Sequence, residues 1–262
     1  MNTSLQSIKI VLLNTFHPGN IGAAARAMKT MGLHELVLVE PCDFPSDEAT
    51  SRAAGAAELL TNARVVTSFA EAINDCTQVF ATTARQKQSY AGPQKSCSQA
   101  AEWIKENHQE KIAIVFGRER SGLTADEVSQ CQQVLYIPGN PEYDVLNMAS
   151  AVQIVCYELF KTLNVKSASD QSSESQDSKK ETFSASKKSR LATQNERHHF
   201  EKILQVSLQN TGYLNPALPS DTMKRLQHLL TRANSTSRDI NMMHGIIKSL
   251  VNFNSNNINN DK

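Results

Sequence analysis

Arg26 lies in NTFHPGNIGAAARAMKTMG, residues 14 to 32, where an alanine-rich helical pattern follows a Pro-Gly-Asn turn. At about 100° per residue, Gly22, Arg26 and Lys29 share one arc, opposite Ala23, Ala24, Ala27, Met28 and Met31. A cation about one turn inside a helix is close to the end whose dipole and free N–H groups attract anions, which suits it to a phosphate. A solvated arginine on an exposed helix face has the same sequence pattern.

Two further stretches have the form of ligand-facing loops. FGRERSGLT, residues 116 to 124, approaches G-x-x-x-x-G-K-[ST], but Leu123 stands where the phosphate-binding lysine belongs, which excludes a P-loop. No G-x-S-x-G surrounds Ser121, so it is not a nucleophile elbow. A glycine-bounded turn remains, Gly117 to Gly122, which brings backbone close to a ligand and presents Arg118, Glu119 and Arg120. In IPGNPEYDVLNMASAV, residues 137 to 152, two prolines and a glycine stiffen the chain before an alanine-containing helix. Such a loop either closes over a flat ring or simply connects a strand to a helix.

These loops need strands before them and helices after them. The runs IKIVLL, ELVLVE, RVVT, TQVFATT, KIAIVF and QVLYIP predict strands, with helices starting near Asn20, Asp47, Ser68, Ser98, Thr124 and Val145. The alternation implies an α/β fold over residues 1–163, a mostly parallel sheet with helices on both faces. Ligands of such sheets bind outside the carboxyl ends of the strands, where all three loops fall. No G-x-G-x-x-G follows the first strand, which removes the main support for a dinucleotide fold.

Residues 164–192 are expected to be a flexible linker. NVKSASDQSSESQDSKKETFSASKKSR holds nine serines and too little apolar surface to offset its ordering entropy. Residues 193–255 predict a small helical domain of three helices, the second capped by Ser220 or Asp221, and residues 256–262 a disordered tail, with fraying expected from Asn254. In the second helix Met223, Leu226, Leu230 and Ala233 form an apolar stripe, while Lys224, His228 and Arg232 share another face. That basic face is either solvated or a nucleic-acid contact.

Net charge is +1 over 262 residues, unevenly distributed. Residues 1–163 hold 13 Lys+Arg against 17 Asp+Glu, residues 164–192 hold 6 against 4, and residues 193–262 hold 8 against 5. The field that would attract an anionic polymer therefore comes from the C-terminal part. The five cysteines are scattered and odd in number, which argues against a disulfide framework or a zinc ribbon. His198 and His199 have no partners at metal-ligand spacing, so no metal is expected. With no apolar run of membrane-spanning length and no secretion-like start, the reading is a cytoplasmic protein with no membrane contact.

Together the patterns N-x-G-x-x-x-R, F-G-x-E-x-x-G-L and I-P-x-N-P-E-Y-x-x-L-N-x-A-x-A-V resemble the three motifs of the SpoU branch of the SPOUT RNA methyltransferases, in order and spacing, over residues 8 to 160. ARAMKTMGL, VFGRERSGLT, NPEY, TGYL, RLQHLLTRA and MMHGII are similar to members of that branch that methylate a ribose 2′-OH in the tRNA anticodon loop, at nucleotide thirty-two. Other RNA targets within the branch, ribosomal RNA among them, and a non-catalytic RNA-binding protein on the same fold are the alternative readings.

The resemblance implies a trefoil-knotted methyltransferase domain, a homodimer, tRNA as substrate, and S-adenosylmethionine as cofactor in a bent pose. It places Thr82, Thr83, Ala84, Gly117, Ile137 and Leu146 around the cofactor. It also makes Arg26 the essential arginine, with Asn20 and Asn147 arranging hydrogen bonds about the reacting hydroxyl. A guanidinium has a pKa above about 12, so the expected role of Arg26 is to clamp the phosphate and hydroxyl of the target nucleotide. Arg26, Lys29, Arg118, Lys224 and Arg232 are the expected RNA contacts. One departure stands out: YDVLN places Asp144 and Val145 where the family often has serine, so a hydroxyl contact is expected to be missing and Asp144 to serve in part as an acceptor.

Overall fold

The computed structural model describes residues 3–84, 93–107, 110–164, 190–215 and 221–260. The serine-rich stretch 165–189 and the cap candidate Ser220 lie outside the described residues. Strands β1 (Ile8–Leu13), β2 (Glu35–Val39), β3 (Arg64–Val66), β4 (Gln78–Thr83), β5 (Gln94–Ser96), β6 (Ile112–Phe116) and β7 (Gln133–Tyr136) form one sheet in the order β3-β2-β1-β6-β4-β7-β5. Every pairing is parallel. Helix α1 (Thr3–Gln6) precedes β1, and between the strands run α2 (Pro18–Thr30), α3 (Asp47–Ala53), α4 (Ala57–Thr61), α5 (Phe69–Ile73), α6 (Cys97–Glu106) and α7 (Ala125–Ser129). The sheet is followed by α8 (Met148–Asn164), α9 (Gln194–Asn210), α10 (Thr222–Arg232) and α11 (Ser237–Asn260).

All six residues of β1 are buried, as a strand covered on both faces requires. Ile8, Ile10 and Leu12 pack with Ala24, Met28 and Val152 of α2 and α8, while Val11 and Leu13 pack with Ala72 and Ile73 of α5 on the other face. Lys9 is the polar exception inside β1; its ammonium meets Asp75 at 2.7 Å and Glu35 at 3.2 Å, so the buried charge is paired. No helix among the described residues is long and apolar enough to cross a membrane.

Four elements differ from the sequence reading. Strand β5, with sequence QKS, carries no apolar signal and is held at the sheet edge by backbone pairing with β7. Helix α8 begins at Met148 and not near Val145, because the Asn147 side-chain oxygen caps it by accepting from Ala149 N–H at 2.9 Å. On α2, Gly22, on the arc of Arg26 and opposite the apolar residues, is itself buried, and a Cβ there would overlap the Ala49 carbonyl of α3. Helix α11 continues to Asn260, through the region read as a fraying tail, since extending a formed helix costs far less than nucleating one.

The C-terminal helices have a separate small core of Ala192, Phe200, Leu230 and Ile240. Its ordered contacts begin before residue 193, where Leu191 bridges to Thr236 and Ala192 N–H donates to Ser235. Asp221 occupies the N-cap position of α10 without a side-chain capping bond. The unit docks against the N-terminal ends of β4 and β7: Gln194 and Asn195 N–H donate to the Cys76 and Asn74 carbonyls, each at 2.9 Å. Arg197, 2% exposed, donates to the Thr77 carbonyl at 2.8 Å, and the Gln78 amide donates to Asn234 at 3.0 Å.

Candidate active site

The strand order makes β1, β6, β4 and β7 consecutive. Their C-terminal ends release the three loops and the Thr82–Ala84 turn within about 15 Å of one another, at about 4.8 Å per strand. A cavity of about 650 Å³ opens there. Its lining includes Thr82, Thr83, Ala84, Gly117, Ile137 and Leu146, the six residues expected around a cofactor, together with Asn147, Arg118 and Asp144.

Glu119 joins the loops. Its carboxylate accepts from Phe16 N–H at 3.1 Å, His17 N–H at 3.3 Å and the Asn20 amide at 3.1 Å. Asn20 in turn accepts from the Asn147 amide at 3.1 Å. One continuous chain of hydrogen bonds thus runs from the second loop through the first to the third. The carboxylate also lies at the N-terminal end of α2, where unpaired N–H groups and the helix dipole favour a negative charge. Burial works against that charge, and the bonds from Phe16, Asn20 and His17 outweigh it, holding Glu119 below the usual carboxylate range.

Arg118 is committed to the protein. Its guanidinium bridges both Glu127 oxygens at 2.9 and 3.0 Å and donates to the Asn14 side chain at 2.6 Å. The Glu127 bond raises Arg118 above its ordinary pKa. Glu127 also closes the capping box of α7 with Thr124. The fork therefore fixes the second loop at both ends. Thr15, buried at the start of the first loop, donates its hydroxyl to Met148 sulfur at 3.8 Å, which ties that loop to α8.

The remaining expected residues lie elsewhere. Arg26 is exposed on α2, outside the cavity lining. Lys29 lies on the same helix and is paired with the Gly55 carbonyl at 2.9 Å and Glu58 at 3.6 Å. Lys224 and Arg232 are exposed on α10, in the unit docked at the far end of the sheet. Sequence reasoning passed over Glu119, Asn14 and Thr15 as structural agents. The only local signal was a glutamate inside a glycine-bounded turn, and its partners are about a hundred residues away in the chain.

The parallel sheet with the three motif loops gathered over one cavity is that of a SpoU-type methyltransferase: the chain belongs to the SpoU rRNA methylase family, whose model matches residues 7–157. Residues 196–259 match the model for the C-terminal domain of the tRNA methyltransferase TrmJ. The chain is 37% identical over 248 residues to the tRNA (cytidine/uridine/adenosine-2′-O-)-methyltransferase TrmJ of Pseudomonas aeruginosa, covering 93% of each chain. It is 37% identical to the tRNA (cytidine/uridine-2′-O-)-methyltransferase TrmJ of Pectobacterium atrosepticum, covering 94% of this chain and 97% of that one. Among solved structures, TrmJ from Z. mobilis ZM4 superposes with a TM-score of 0.76 at 34% identity, covering 92% of this chain and 98% of that one.

Proposed function

We propose that the protein transfers a methyl group from S-adenosylmethionine to a ribose 2′-OH in the tRNA anticodon loop, at nucleotide thirty-two, in the cytoplasm. The observation that carries this reading is the meeting of all six expected cofactor residues in one cavity, beside the Asn147–Asn20–Glu119 chain.

The lining fits such a cofactor. Ile137 and Leu146 offer apolar cover for a flat ring, and the Thr82–Ala84 and Gly117 backbone offers donors and acceptors at the wall. A Cβ at Gly117 would overlap the Gly122 backbone, so this turn needs glycine to fold back tightly at the cavity. Asp144 lines the same space, and an acidic residue there is compatible with a positively charged donor. When bound, the cofactor supplies an electrophilic methyl on a sulfonium, and the protein mainly positions the acceptor.

Asn147, at the cavity wall, donates its amide to the Asn20 oxygen, and the pair orients the hydroxyl. Glu119 keeps Asn20 in place and prevents the first loop from drifting. Arg26 binds the target phosphate and hydroxyl from the exposed side of α2. Its position outside its own cavity lining, and the docking of the C-terminal helical unit at the far end of the sheet, support a homodimer in which RNA held by one copy enters the cavity of the other. Lys224 and Arg232 contribute to the long-range attraction of the RNA. The trefoil knot of the family belongs to the same proposal.

The test is transfer of a tritiated methyl to unmodified tRNA, followed by mapping of the product. A single 2′-O-methyl at nucleotide thirty-two is expected; labelling of ribosomal RNA alone, or no transfer to any RNA, overturns the reading. Arg26→Ala should abolish transfer while leaving cofactor affinity nearly unchanged.

A further inference from the structure

Phe16 follows β1 in the first loop, and 71% of its surface is exposed. It packs in neither of the two core clusters that sandwich the sheet. Its backbone, by contrast, is fixed on both sides. Phe16 N–H donates to both oxygens of Glu119, at 3.2 and 3.1 Å, and His17 N–H donates to one of them at 3.3 Å. Thr15 before it is buried and bonded to Met148, and Pro18 after it opens α2. The fold therefore holds an exposed apolar ring on a rigid stem, and among the described residues the ring belongs to no core cluster. Since Glu119 itself lines the cavity, the ring's own backbone lies one hydrogen bond from the cavity wall.

We propose that Phe16 is a base-stacking residue: its ring takes the face of an unpaired base of the RNA loop whose ribose enters the cavity. This rests on the RNA reading above and adds a subsite to it. Single-stranded loops are recognised through bases splayed out onto aromatic rings, and every base offers a π-face. A ring already fixed at its backbone loses little freedom when a base stacks on it. The surroundings favour a base over an apolar protein surface. Thr15 and His17 flank Phe16 in sequence and Asn20 shares its Glu119 acceptor, so polar groups stand beside it to meet the edges of a base. Arg26 and Phe16 would then divide the acceptor between them, the cation taking its phosphate and the ring its base.

The test compares Phe16→Ala, Phe16→Leu and Phe16→Trp in the full-length protein, using unmodified tRNA. Ala and Leu should raise the KM for tRNA and the Kd for tRNA on the order of tenfold, within the range measured for removal of one stacking ring. The kcat at saturating tRNA, cofactor affinity and melting temperature should stay at parental values, and Trp should keep parental KM. Parental KM in Ala, or full function in Leu, overturns the proposal, because either shows that no π-face is used. A change from dimer to monomer in Ala also overturns it, since the ring would then belong to a contact between copies. Failure of the parent protein itself to methylate or bind tRNA defeats the functional reading and this inference together, and so is distinguishable from failure of the Phe16 variants alone.

Discussion

The side-chain amide of Asn147 donates to the side-chain oxygen of Asn20 at 3.1 Å, across 127 positions of sequence. The contact closes the third loop onto the first, and Asn147 also caps α8 while Asn20 is held by Glu119. Each asparagine therefore has its rotamer fixed by a second partner. This is the support that a positioned hydroxyl acceptor requires.

A double-mutant cycle measures that coupling. Asn20→Ala and Asn147→Ala are each expected to lower kcat for methyl transfer about tenfold. The double variant should fall short of the product of the two, with a coupling of about 1 kcal/mol. Rates that multiply fully would show that the two amides act independently.

Glu119→Gln keeps the shape of the side chain but replaces one acceptor oxygen with a donor facing N–H groups. A stability loss of about 1–2 kcal/mol is expected, with a drop in kcat larger than any change in cofactor affinity. The pH dependence has a definite sign. A carboxylate whose folded pKa is depressed stabilises fully above its unfolded value, here 4.5, and that contribution disappears as pH falls through the lower folded value. Melting temperature should therefore be flat near neutrality and fall in acid, with a smaller acid drop in Glu119→Gln than in the parent. Glu201, raised by burial, has the opposite sign, so the difference between parent and variant is the informative quantity.

Arg118→Lys separates a structural role from an RNA contact. A lysine has no planar fork for Glu127 and Asn14, so a loss of about 1–3 kcal/mol is expected in thermal or urea unfolding. The KM for tRNA should be little changed. A large rise in that KM without loss of stability would instead return Arg118 to the RNA surface.

Gly22→Ala tests the close approach of α2 to α3. A methyl there would overlap the Ala49 carbonyl backbone and lie against the Arg52 side chain, neither of which can yield without moving α3. A cost of about 1–3 kcal/mol or more is expected in urea unfolding, although alanine is the better helix former. Unchanged or increased stability would show that α3 moves freely away from α2.

Much of this protein was determined by local sequence. IKIVLL, TQVFATT and KIAIVF have the composition of strands buried on both faces, and β1, β4 and β6 appear where those runs lie. The three glycine- and proline-bounded loops follow strand ends, so their location at the carboxyl rim was legible as well. What the sequence left open depends on contacts between distant segments. β5 has no apolar pattern because an edge strand can be held by backbone bonds alone, and the burial of Gly22 was not legible because the position of α3 is not encoded in α2. Only the tertiary order placed β1, β6, β4 and β7 side by side and so brought Glu119 under the first loop. It also decided that Arg118 binds Glu127 and that Arg26 stands outside the cavity. Periodicity reports which face of an element is buried, while the partner on that face is fixed by strand order and by hydrogen bonds that form only once the sheet has assembled.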